Sequence, residues 1–266
     1  MAKRNSAPAA GTKAKPRREA MAAAQTPRTD GRTTVLLTGF GPFPSVPVNA
    51  TMMLVPRLAE AATTLFPATC FVTAILPTEW TAAPRRVDGL LATHRPDLVV
   101  HFGVSSRARG FEIEIRGRNA CALAPDATGQ IPNGVHIDTT GPSLRPSRLP
   151  VAEIVRRLQR RGLPAFQSWN AGAYLCNATL YHVLEATHET TIESGFVHIP
   201  ASLAPPGTQA ARGGPLRTSP GCPLTWSQTL EGALEIVAAC LDRPSPDMAR
   251  LGRHSAVRSG MGLALA

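Results

Sequence analysis

The feature that most constrains the fold is an alternation of short β-rich runs with stretches of helical periodicity. Val35-Leu36-Leu37 is an apolar run that stops at a Gly/Pro turn, Thr38-Gly39-Phe40-Gly41-Pro42-Phe43. After Asn49, the residues Met52, Met53, Leu54, Leu58 and Ala61 recur at the spacing of one helix face. Cys70 to Leu76 reads as a second strand closed by Pro77, and about Trp80 to His94 as a helix with Val87, Leu90 and Leu91 on one side. Asp97 to Phe102 reads as a third strand. Strand, helix, strand, helix, strand in that order predicts an α/β fold, a mostly parallel sheet with helices on both faces in three layers.

Downstream, Phe111-Glu112-Ile113-Glu114-Ile115-Arg116 alternates apolar and polar side chains at period two, predicting a strand with one face exposed and its glutamates sharing a face. Residues 120 to 149, rich in Pro, Gly, Asp and Thr, read as a long surface loop, and 202 to 223 as another. Helical periodicity returns over 150 to 161, Tyr174 to Ala186 and Leu224 to Leu241, with a buried strand at Gly195 to Ile199. These readings place one α/β domain at 33–242, a disordered basic arm at 1–32 and a flexible tail at 243–266.

Composition bears on the partners. The chain of 266 residues is 43% hydrophobic, enough for a sizeable core. Its net charge of +10 is concentrated at the ends. Residues 1–32 hold eight Lys and Arg against Glu19 and Asp30, and residues 243–266 hold Arg243, Arg250, Arg253 and Arg258 against Asp247. The +6 and +3 of these ends leave only +1 for the middle, so the folded part carries no nucleic-acid signal; a basic arm could at most touch phosphates non-specifically. The five cysteines form no C-x-x-C pair, which argues against a disulfide framework or a structural metal. No run of eighteen apolar residues and no signal-peptide core occurs, so no membrane span is expected and the location expected is the cytoplasm. An Arg- and Ala-bearing start with few acids also fits the composition of an organelle transit peptide.

Nucleophilic amide hydrolysis needs a thiolate or alkoxide, a base to generate it and a third group that orients the base. Cys176 follows a Gly-containing turn, Asn170-Ala171-Gly172-Ala173-Tyr174-Leu175, so the thiol is expected in the first turns of a helix, where free N–H groups and the dipole favour a thiolate. Taken on spacing alone, a buried core cysteine accounts for it better. His198 follows Gly195-Phe196-Val197 and precedes Ile199-Pro200, at the carboxyl edge of a strand where α/β sheets bind ligands. A core histidine competes for that position, as do six other histidines for the role. Glu114 is a candidate orienter, or else a solvated carboxylate.

Four separated blocks in order change this balance. Thr38-Gly39-Phe40-Gly41-Pro42-Phe43 with Pro47-Val48-Asn49 resembles the opening signature of the pyroglutamyl peptidase I family, cysteine peptidases of family C15 that remove an N-terminal pyroglutamate. Arg95-Pro96-Asp97 through Gly103, with Glu114 and Asn119, is similar to that family's glutamate segment. Ala171 to Asn177 resembles its nucleophile block, and Gly195 to Pro200 its histidine block. The resemblance spans roughly 33 to 242 and implies a twisted mixed sheet and a triad of Cys176, His198 and Glu114. It also implies a lactam pocket walled by Phe40 and Phe43, with Tyr174 and Leu175 nearby and Asn49 as a turn residue beside it. For Phe40, ordinary core packing is an equal alternative. Implied further are a small peptide substrate with a blocked N-terminus, no cofactor, no metal, and homo-oligomers, since members are often oligomeric. The alternative is a descendant that keeps the fold as a binding or scaffold module.

Two departures stand out. Where members carry a Gly-rich stretch after the third strand, this chain reads Val104-Ser105-Ser106-Arg107-Ala108-Arg109, which changes how closely backbone approaches a ligand. Where members carry an arginine before an Ile-Pro pair, this chain has Gln130 before Ile131-Pro132. Loss of an oxyanion partner there would remove on the order of a few kcal/mol of transition-state stabilisation, and Arg116 or Arg118 are the candidate substitutes.

Overall fold

A computed structural model of the chain describes residues 31–43, 46–207 and 218–248. Of the two basic ends expected to be loose, residues 1–30 and 249–266 lie outside the described residues, as does the middle of the expected 202–223 loop.

Eight strands and five helices make up the described fold. β1 (Thr33–Phe40), β2 (Thr69–Leu76), β3 (Leu98–Ser105) and β8 (Glu193–Pro200) form the parallel part of a six-stranded sheet ordered β2-β1-β3-β8-β4-β7. β4 (Phe111–Glu114) runs antiparallel to β8 and parallel to β7 (Ala165–Ser168). A separate antiparallel pair joins β5 (Arg116–Arg118) to β6 (Leu144–Pro146). The helices are α1 (Thr51–Leu65), α2 (Ala82–His94), α3 (Val151–Arg160), α4 (Leu175–Thr187) and α5 (Trp226–Cys240).

Period two along the strands divides the core into two layers. Val35 and Leu37 of β1, Phe111 and Ile113 of β4, and Val197 and Ile199 of β8 face one cluster, shared with Leu54 and Leu58 of α1, Ile154 and Leu158 of α3 and Ile236 of α5. Leu36 and Phe40 of β1 and Phe196 of β8 face the other, shared with Leu90 of α2 and Leu180 and Leu184 of α4. Both faces of the sheet are covered, which is why β1, β3 and β8 read as continuous apolar runs rather than as alternating ones.

That arrangement corrects the reading of β4. Its alternation is real, but the glutamate face is not exposed: Glu114 is fully buried and Glu112 half-buried. β4 lies inside the sheet between β8 and β7, and its glutamates point toward the side that α4 covers. The chain breaks at Ile115 and turns away as β5, which Asn177 pins to α4: its Oδ1 accepts from Arg118 N at 2.9 Å and its Nδ2 donates to Arg118 O and Ala120 O at 2.8 Å each. The expected loop 120 to 149 is irregular except for β6. Its fold is organised by Asn119, whose Oδ1 accepts from Ile137 N and Asp138 N while Nδ2 donates to Asp138 O and Gly141 O.

Candidate active site

Cys176 is the second residue of α4, and the Gly172 backbone at φ +85° turns the chain into that helix. The first N–H groups of a helix have no intrahelical partner, and here no capping side chain satisfies them. The thiol is half-buried: it packs on the second core cluster and also lines a cavity. Beneath it lies Gly103 on β3, where a Cβ would stand 2.6 Å from the Phe196 ring and 3.2 Å from the Cys176 sulfur. The glycine is what lets the thiol settle on the strand.

His198 sits two residues after Phe196 on β8 and so on the same face, under α4. Its Nδ1 lies 2.8 Å from Glu114 Oε1, an ion pair whose partners are 4% and 0% exposed. Cys176 lines the same cavity as the ring and its charge bears on the ring's protonation. Burial alone lowers the pKa of His198, but Cys176 and then Glu114 outweigh it and raise it to about 10. Thiol, imidazole and carboxylate thus stand in series. The competing buried histidines are occupied elsewhere: His101 Nδ1 meets Thr38 Oγ1 at 2.5 Å and His182 Nε2 meets Asp88 at 2.8 Å, and neither lines the cavity.

The cavity in front of the series has a volume of about 760 Å³. Phe40, Phe43, Asn49, Tyr174 and Leu175 all line it, so the structure brings every sequence-predicted pocket residue to one place. Phe40 does double duty: it is 3% exposed and packs on Phe196 with ring centroids 6.0 Å apart. Phe43 leans on Tyr174, which in turn meets Trp80 edge-on at 5.2 Å. Asn49 is held in the turn, donating to Gly41 O at 3.2 Å and accepting from the Thr51 N–H and hydroxyl.

Glu112 and Ser168 also line the cavity, though neither was a candidate from sequence, as do Ser105 and Arg107 of the stretch that departs from the family's Gly-rich one. Glu112 had a signal, since period two put it on the Glu114 face. Glu112, Glu114 and His198 each offer a ligand atom within 4.8 Å of the others, the one set of metal-like spacing among the described residues. Gln130 is exposed and does not line the cavity. Neither suggested substitute lines it either: Arg116 stacks over Trp169 at 5.3 Å, and Arg118 donates to Gly172 O at 2.7 Å. Arg118 thereby braces the turn before the thiol rather than facing a substrate.

A mostly parallel α/β sheet with thiol, imidazole and carboxylate in series at its strand ends is the architecture of a cysteine hydrolase. The family model described as pyroglutamyl peptidase matches residues 33–213, and the chain belongs to that family. A curated relative, the pyrrolidone-carboxylate peptidase of Oceanobacillus iheyensis, is 30% identical over 210 residues, covering 78% of this chain and 98% of the relative. The pyrrolidone-carboxylate peptidase of Gloeobacter violaceus is 36% identical over 169 residues, covering 62% and 80%. Among solved structures, pyroglutamyl peptidase I of Bacillus amyloliquefaciens superposes with a TM-score of 0.67 at 26% identity, over 80% of this chain and 98% of that one.

Proposed function

We propose that this chain hydrolyses the amide bond after an N-terminal pyroglutamyl residue, through a thioester on Cys176. The observation that carries the reading is the series Cys176, His198, Glu114 opening into a cavity walled by Phe40 and Phe43. Glu114 Oε1 accepts the Nδ1 proton of His198, which fixes the tautomer and leaves Nε2 to the sulfur. The thiolate attacks the carbonyl carbon, and the oxyanion is held by the free N–H groups at the start of α4. The imidazolium gives its proton to the leaving nitrogen as the C–N bond breaks. His198 then deprotonates water, which attacks the thioester and releases pyroglutamate and the thiol.

Among the described residues, the cavity end formed by Phe40, Phe43, Val46, Val48 and Tyr174 carries no charged side chain. It suits a neutral lactam and leaves a free α-ammonium without a partner, which disfavours unblocked peptides. No observation favours the module without activity. A cytoplasmic location belongs to the same proposal, supported by five cysteines that all remain free thiols and by the absence, among the described residues, of a helix long and apolar enough to cross a membrane. Release of a fluorogenic amine from a pyroglutamyl amide is expected, abolished by iodoacetamide and by Cys176→Ala. An inert wild type whose Cys176 alkylates no faster than a free thiol would sink the reading.

A further inference from the structure

We propose that Glu112 is a specificity-determining residue on the leaving-group side, selecting a cationic residue immediately after the pyroglutamyl group. The inference rests on the activity proposed above and adds the other half of the substrate.

Strand order lays the reaction out along a line. β1, β3, β8 and β4 are successive neighbours in the sheet. Phe40 ends β1, Gly103 of β3 carries the Cys176 sulfur above it, His198 stands on β8, and Glu112 is the direct register partner of His198 on β4. Directly paired residues of antiparallel neighbours project to the same face. With the lactam ring at the aromatic end and the carbonyl at the sulfur, the leaving nitrogen meets His198. The first residue of the leaving peptide then lies over Glu112.

Glu112 is free for that use. The imidazole Nδ1 is already held by Glu114, while Glu112 lines the cavity half-buried, within 4.8 Å of both. Burial pushes the Glu112 carboxyl up, His198 pulls it back, and Glu114 adds to the rise. A substrate cation would therefore relieve two crowded carboxylates. Among the described residues Arg107 is the one Lys or Arg lining the cavity; its charge acts on Glu112, but being exposed it is screened and free to swing into solvent.

The test is kcat/KM for peptide amides with pyroglutamate followed by Lys, Ala or Glu, at low and high salt. A preference for Lys over Glu on the order of tenfold at low salt is expected, shrinking as salt rises. Glu112→Gln should bring the Lys-to-Glu ratio close to one, and Arg107→Ala should enlarge it. A wild type that cleaves all three with equal kcat/KM overturns the inference and leaves the activity standing, whether or not the variants fold. A Glu112→Gln protein slowed equally on all three substrates also overturns it, since Glu112 would then act only on the imidazole. A wild type inert on all three overturns the activity and the inference together.

Discussion

A methyl group at position 103 would press on the Phe196 ring and on the Cys176 sulfur, both within 3.2 Å. Gly103→Ala is therefore expected to lower stability by about 1–3 kcal/mol and to reduce kcat as the thiol is displaced, read by denaturant unfolding and steady-state kinetics. At His198, Cys176 and Glu114 favour the charged imidazole against burial. Its raised pKa gives a stabilising contribution that is complete below ~6.5, the ordinary imidazole value, and is lost as pH rises through about 10. The alkaline limb of kcat/KM is accordingly expected well above the usual imidazole range. Glu114→Gln should move that limb to lower pH and reduce kcat by about 10²-fold or more. A limb that stays in place would remove Glu114 from the orienting role. These three residues were visible in sequence only through their blocks. Glu114 and His198 are 84 positions apart, and local spacing says nothing of a contact closed by the sheet.

α1, α2 and α3 were legible because each carries a 3.6-residue apolar stripe, and β1, β3 and β8 because both their faces are buried, whereas β2, α4 and α5 were read from apolar runs bounded by turn residues. β7 was not: in Ala165-Phe166-Gln167-Ser168 only Ala165 is buried, so the edge strand shows neither alternation nor an apolar run. Period two told which β4 residues share a face but not what covers that face, so buried Glu114 and half-buried Glu112 were placed on an exposed one. Between α3 and α5 an ion-pair clamp was equally invisible. Arg161 reaches Glu235 at 2.6 Å and Glu231 at 2.7 Å, and Glu235 is fully buried. Arg161→Ala is expected to destabilise by about 3 kcal/mol, more than a surface pair would, because it strands a buried carboxylate. A loss under about 1 kcal/mol in urea unfolding would mean that Arg157, 3.9 Å from Glu235, suffices.

At the scale of the molecule, the described elements run from Thr33 to Cys240 and the family match begins at residue 33. Most of the +10 charge lies outside that span. Deletion of residues 1–30 is expected to leave kcat/KM within about twofold, since every site residue named above lies at position 40 or beyond. The cavity joins residues from β1, the turn after it, β3, β4, the start of α4 and β8, so the site exists only in the assembled sheet. The most direct measurement is peptide mapping by mass spectrometry of protein quenched in acid during turnover of a pyroglutamyl amide. Expected is a pyroglutamyl acyl group on the peptide bearing Cys176, absent from Cys176→Ala and accumulating when hydrolysis of the thioester is slowed. Turnover that leaves Cys176 unacylated and survives the Cys176→Ala substitution would contradict it.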